Sequence, residues 1–395
     1  MIGNRPVAPW YTRPSSSAKP AGPAFLSIFS LRPASLKMLA FAPAFFLLGI
    51  IETGKGKISM SNKSNNGFIV ILGALAASCI LLLALWADYS AGRDEVTKQT
   101  NARAMLAVKD AAADLDSFIH RVSMLPITTA SRQQILGNTP DPMMVEYLRN
   151  TIAKVPKEQV YGIYIAYEDM KWSDKNSMPW MDRKKFPEMT VVHYDYHDPI
   201  QDWYSGAKAD RKLHITEPYF DGGGSDINMV SVTYPVIAKD EKFVGVAGAD
   251  LSLELIQNIV DGIETAFWDS TVEGHDEVRH AYLVSRKGLI VTHPDPKLML
   301  SKDSPGAKVE SLPDGAVTVS KPEGAELVEI GGEKRRIYWA SSGLTGWKLV
   351  LNVSDEAVMR PVGRLARKAI LIAGLGLGAM ICLTGWIFSR ARANS

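Results

Sequence analysis

Two uncharged apolar stretches, Gly67–Ala87 and Ala369–Phe388, bracket a polar block over residues 88–368. At 1.5 Å rise per residue, each stretch covers roughly the 30 Å hydrocarbon core of a bilayer as a helix. Between them the pattern changes twice. From Asp88 to Thr128 no proline occurs before Pro126, and Leu106, Val108, Ala111, Leu115, Phe118 and Ile119 recur at helical spacing. This predicts one long helix continuing from the first apolar stretch. A shorter helix is predicted over Met143–Lys154, capped near Thr139-Pro140-Asp141.

Period-two alternation then takes over. Val160–Tyr167, Asn228–Val236 and Lys242–Ala249 read as strands, and Leu251–Ile263 as a helix. A second, smaller unit follows. Tyr282–Ser285 and Leu289–Thr292 flank the turn Arg286-Lys287-Gly288, and Ala325–Glu329, Arg336–Ala340 and Trp347–Val353 complete an antiparallel sheet. Ser354–Lys368 returns as a helix into the second apolar stretch. The expected class is α+β: a long N-terminal helix, then two antiparallel-sheet lobes, flanked by two transmembrane helices.

The N-terminal 66 residues fit this plan poorly. Residues 14–23 are low-complexity, and the apolar run Met38–Ile51 is short and contains Pro43. Met60 opens Met-Ser-Asn-Lys-Ser-Asn-Asn-Gly directly before the first span, so the expected start is Met60, with residues 1–59 not translated. Basic residues flank both spans in nearly balanced number, and the long polar block is expected outside, because long loops translocate largely regardless of charge. Trp86, Tyr89 and Trp386 stand at interfacial positions.

Composition narrows the function. A net charge of +2 argues against nucleic-acid binding. Cys79 and Cys382 both lie in the apolar stretches, which leaves the polar block without a disulfide framework. His193, His197 and His214 lack metal-site spacing, and Asp221-Gly-Gly-Gly-Ser-Asp226 lacks the Lys-Ser/Thr ending of a phosphate loop. No nucleophile elbow or paired-carboxylate motif stands out. No metal or cofactor is expected. Gly374 and Gly378, and Gly73 and Ala77, are small residues one turn apart, suited to close helix packing in lipid.

Five local motifs in order carry a resemblance. Asp198-Pro-Ile-Gln-Asp-Trp-Tyr204, Thr216-Glu-Pro-Tyr-Phe-Asp221, Gly245-Val-Ala-Gly-Ala-Asp-Leu-Ser-Leu253, the stretch ending at Asp295, and Gly346-Trp347 resemble the double Cache sensor domain of bacterial chemoreceptors and sensor kinases. The resemblance covers residues 88–388. It implies a stalk helix over 88–130, a membrane-distal lobe over 131–272, a membrane-proximal lobe over 273–353, a linker helix over 354–368 and a short cytoplasmic tail over 389–395.

The resemblance also implies a ligand site in the distal lobe. The family's pocket positions carry over onto Tyr196, Gln201, Trp203, Tyr219 and Asp250, with Asp202 in the same acidic stretch. Where the amino-acid-binding branch has arginine, this chain has Gln201. Arginine grips a ligand carboxylate with two charge-assisted bonds, and a neutral amide does not. Asp250 accepts from a ligand ammonium, and aromatic faces receive a cation. The implied ligand is a small molecule, amine or amino-acid-like: an amine or other cationic metabolite that lacks the free carboxylate of a standard amino acid. Asp250 also has a purely structural reading, as the N-cap of the helix that follows it.

The function implied is that of a membrane-anchored extracytoplasmic sensor, in the bacterial inner membrane. No kinase, cyclase or methyl-accepting segment follows Phe388, so the expected partner is a second copy or an output protein (kinase, cyclase or chemoreceptor) met through the transmembrane helices. The rival readings are a membrane-tethered periplasmic enzyme and an interaction protein with a vestigial pocket.

Overall fold

The computed structural model describes residues 63–137, 141–169, 178–267, 279–315 and 321–393. The expectations for the N-terminal extension, the Met60 start, Thr139 and Pro140 of the cap, and the lobe boundary at 272/273 lie outside the described residues; Asp141, the third residue of that cap, accepts from the Met143 N–H at 2.8 Å. Residues 92–363 form one compact unit; the helical segments 63–91 and 364–393 fall in another.

The first helix, α1 (Lys63–Leu136), runs past the stalk-helix end expected at residue 130 and contains Pro126. Proline removes one backbone donor from a helix interior. In the following turn the Thr128 and Thr129 hydroxyls donate to the Met124 and Leu125 carbonyls at 2.7 and 2.9 Å. Gly137, with φ +62°, follows the helix as its left-handed stop. Ala104, Val108, Ala111, Leu115, Ile119 and Val122 form the buried stripe of α1. Next comes α2 (Met144–Lys154), burying Met144, Leu148 and Ile152.

The first lobe is a six-stranded antiparallel sheet. Its strands are β1 (Gly162–Tyr167), β2 (Trp180–Asp182), β3 (His214–Ile215), β4 (Tyr219–Phe220), β5 (Asn228–Ile237) and β6 (Phe243–Ser252). Their order is β2-β1-β6-β5-β3, with β4 also on β5. Both faces of this sheet are covered. Ile163, Ile165, Ala247, Ala249 and Leu251 share a core with the stripe of α1 and with α2. The alternate residues Tyr164, Ala166 and Val246 join Trp180, Tyr196, Trp203 and Tyr204 in an aromatic cluster on the other face. Helix α3 (Asp202–Asp210) supplies Trp203, Tyr204 and Ala207 to that cluster.

One boundary moves. The helix expected from Leu251 begins two residues later, as α4 (Leu253–Phe267), because Leu251 is still paired with Val230 in the sheet. Ser252, not Asp250, stands at the cap: its Oγ accepts from the Leu255 N–H at 3.4 Å.

The second lobe is a five-stranded antiparallel sheet built from β7 (Arg279–Val284), β8 (Ile290–Thr292), β9 (Glu323–Ile330), β10 (Glu333–Ser341) and β11 (Lys348–Ser354), in the order β8-β7-β11-β10-β9. Its interior polar groups pair with one another. Asp314 Oδ2 accepts from the Tyr282 hydroxyl at 3.0 Å and from Asn352 Nδ2 at 2.8 Å.

The last helix, α5 (Asp355–Ala393), contains the second expected span. Among the described residues one helix, Asp355–Trp386, is long and apolar enough to cross a membrane by length and composition. Cys79 and Cys382 are free and exposed.

Candidate ligand-binding site

Register decides what faces the aromatic side of the first sheet. Asp250 pairs with Gly162 of β1 and with Ser231 of β5, so it shares a face with Tyr164, two residues along β1. Neighbouring Ala249 and Leu251 face the core instead. The chain thus places a carboxylate against a wall of rings, under helix α3.

The cavity there is lined by Tyr164, Met178, Trp180, Tyr194, Trp203 and Tyr219, together with Asp221, Met229 and Asp250. Its volume is about 10 Å³, room for about one water. No basic side chain is among the described lining residues. Two of the rings meet edge to face, Tyr164 and Trp203, with centroids 5.0 Å apart.

The polar groups of the cavity divide into satisfied and unsatisfied. Asp221 is fully engaged: Oδ1 accepts from the Tyr194 hydroxyl at 2.9 Å, and Oδ2 from the Ser225 N–H and hydroxyl at 2.6 and 2.9 Å. Asp250 is half engaged. Ser231 Oγ donates to its Oδ1 at 2.6 Å, and the Tyr219 hydroxyl stands 2.8 Å from that same Ser231 Oγ. Its Oδ2 is buried with no hydrogen-bond partner, as are the Tyr164 hydroxyl and the indole N–H groups of Trp180 and Trp203. Each such group, dry and unmet, costs about 1–3 kcal/mol.

Burial drives the electrostatics. Asp250 is 1 % exposed, and burial pushes its carboxyl well above the usual carboxylate range. Ser231 works against that rise; the charges of Asp221 and Asp182 add to it. The Trp180 indole also opposes the rise, although it falls short of hydrogen-bonding geometry. Burial, with Asp250 next, likewise raises the phenols of Tyr164 and Tyr219, so both stay protonated.

Close approach makes two glycines necessary. A Cβ on Gly162 would lie 2.8 Å from Trp180 Nε1 and 3.0 Å from Asp250 Oδ2. A Cβ on Gly248 would lie 2.1 Å from the Tyr164 ring.

Trp203, Tyr219 and Asp250, named from the sequence, come together in this cavity. Tyr196, Gln201 and Asp202 are not among its lining residues. Tyr196 is fully buried in the aromatic cluster, with its hydroxyl donating to the Tyr167 carbonyl at 3.0 Å. Gln201 is the N-cap position of α3 and makes no side-chain cap bond. Asp202 is turned to the surface, 3.1 Å from His214 Nε2. The segment before α3 is irregular, so periodicity gave no way to choose between Tyr194 and Tyr196. Trp180 was missed because β2 is three residues long. Tyr164 and Asp221 were within reach: the first from alternation along β1, the second as the aspartate closing the Thr216–Asp221 motif.

With this geometry in view, comparison with known proteins is informative. Residues 144–258 match the family model for the methyl-accepting chemotaxis protein-like, first PDC sensor domain. The first lobe is similar to that sensor domain over the matched residues. A curated relative, the methyl-accepting chemotaxis protein PscA of Pseudomonas syringae pv. tomato, is 34% identical over 106 residues, which is 27% of this chain and 15% of that receptor. The extracellular domain of the candidate histidine kinase mmHK1S-Z2 shares the fold, with TM-score 0.52 and 18% identity over 66% of this chain and 99% of that one. The ligand-binding domain of Mlp24 with asparagine is also similar, with TM-score 0.48 and 22% identity over 69% of this chain and 98% of that one. The lining residues of the cavity described above, from Tyr164 to Asp250, all fall within the matched stretch 144–258.

Proposed function

We propose that this PDC sensor is the extracytoplasmic part of a membrane-anchored receptor, and that its first lobe binds a small amine between Asp250 and the surrounding rings. The anchors are the two apolar stretches at 67–87 and 369–388, with residues 88–368 outside the inner membrane. The single observation that carries the ligand assignment is Asp250: a buried carboxylate oxygen without a partner, facing aromatic rings, with no basic residue among the described lining.

An ammonium group supplies what that oxygen lacks, a charge-assisted hydrogen bond in a site shielded from water. The closed cavity holds about one water, so the rings part to admit the ligand, and the faces of Trp203 and Tyr164 then receive the rest of the cation. The free indole and phenol donors serve a neutral acceptor on the ligand. They do not replace the fixed cation that a carboxylate requires. The second lobe offers a contrast, since Asp314 is already satisfied by Tyr282 and Asn352. Ligand acts by differential affinity for two states of the assembly, and the signal leaves through the transmembrane helices to a second copy or an output protein.

The test is a thermal-shift screen of the full chain against amines, amino acids, purines and organic acids. Amines are expected to raise the melting temperature, since a native-state binder does so by mass action. Asp250→Ala and Trp203→Ala are expected to abolish the shift. Stabilisation led by carboxylates that carry no amine would contradict the assignment.

A further inference from the structure

The two lobes meet across a second, larger hollow that shares no lining residue with the first-lobe cavity. It has a volume of about 590 Å³, within the range of about 300–1,000 Å³ typical of small-molecule sites. The first lobe contributes Tyr161, Asn228, Glu254 and Gln257; the second contributes His293, Pro296 and Met299.

Three polar atoms of this wall are buried without a partner: the Tyr161 hydroxyl, Asn228 Oδ1 and Gln257 Oε1. The orientation of both amides is fixed by what their NH2 groups touch. Asn228 Nδ2 donates to the Leu300 carbonyl at 2.8 Å, and Gln257 Nε2 to Asp261 Oδ1 at 2.7 Å. Both partners accept only, so flipping either amide would set oxygen against oxygen. The two amide oxygens are thus committed to facing away from those partners. Glu254 adds an exposed carboxylate in the first turn of α4. The hollow is therefore rich in acceptors and negative, with prolines and Met299 as its apolar side.

We infer that this inter-lobe hollow is a second ligand site, taking an organic cation that carries several N–H donors on an apolar chain, the chemistry of a guanidino-alkylamine. The N–H groups satisfy the Asn228 and Gln257 oxygens, Glu254 pairs with one of the two positive charges, and the alkyl chain lies along Pro296 and Met299. A quaternary ammonium such as choline has charge but no N–H, and its single hydroxyl leaves at least one amide oxygen unmet. The site is independent of the amine reading of Asp250, and it is tested with that cavity disabled.

Agmatine and choline are titrated calorimetrically into the full chain, purified in mild detergent and carrying Asp250→Asn. Trp203→Ala serves as the background if the first variant does not fold. Agmatine is expected to bind saturably. Adding Glu254→Gln or Gln257→Met is expected to weaken it by at least about tenfold, the effect of losing one charge-assisted bond. Choline is expected not to bind. Absence of agmatine binding in this background, binding unchanged by both added substitutions, or choline binding as tightly as agmatine would each overturn the assignment.

Discussion

Asp250 is where folding and binding pull in opposite directions. The sheet register buries it, and burial raises its carboxyl above the ordinary 3.8. A carboxyl whose folded value lies above its unfolded one stabilises fully below the unfolded value, and loses that stability as pH rises through the folded value. The unliganded wild type is thus expected to lose melting temperature from about pH 4 upward relative to Asp250→Asn, in which the group cannot ionise. Parallel pH–melting curves for the two proteins would contradict this. Asp250 was legible in the sequence because a strand-to-helix motif surrounds it. Its two readings, cap or ligand contact, were separable only by register, which puts Ser252 at the cap and Asp250 on the cavity face.

At the scale of elements, α3 is held to the lobe by a histidine between two carboxylates. His214 Nε2 lies 3.1 Å from Asp202 Oδ2 and its Nδ1 lies 2.9 Å from Asp210 Oδ2. The imidazole packs against Gly206, where a Cβ would lie 2.3 Å from Nε2. Asp202 first, and then Asp210, raise the imidazole above its ordinary 6.5 against the opposing effect of burial; His214 and, more weakly, Lys287 and Arg286 of the second lobe lower Asp202. A raised histidine contributes stability fully below about pH 6.5 and loses it as pH rises through the folded value. Protection factors of the α3 amides, corrected for intrinsic base-catalysed exchange, are therefore expected to fall across that window, and His214→Asn to remove that fall. The β5–β6 pair was legible because ten-residue strands leave room for alternation, whereas β2 and β4, at three and two residues, leave none. Helix α3 came from its motif, not from its period.

Across the whole of the 92–363 unit, the long helix ties to the second lobe at several points: Lys109 pairs with Glu323, Asn101 accepts from Arg336 and Tyr338, and Asp116 holds a turn. Asp116 accepts from the Ser342 hydroxyl, from the Gly343 N–H at 2.8 Å and from the Leu344 N–H at 3.2 Å, fixing the turn before β11. Asp116→Ala is expected to lower unfolding stability by about 1–3 kcal/mol, read as a shifted denaturant midpoint with unchanged slope. A midpoint within error of wild type would show that the turn holds without it. The order of helix, lobe, lobe and helix was plain from the hydrophobic pattern. The cavity was only half plain, because Trp180 reaches it from a three-residue strand and Tyr194 from irregular chain, and neither leaves a periodic signal.

The central claim, a buried Asp250 waiting for an ammonium, is tested most directly by calorimetry of the best-stabilising amine in two buffers of different ionisation enthalpy. Binding is expected to release a proton from Asp250 at a pH below its raised folded value, and Asp250→Asn is expected to lose both the proton and the affinity. Tight binding that persists in Asp250→Asn with the same proton count would contradict the account.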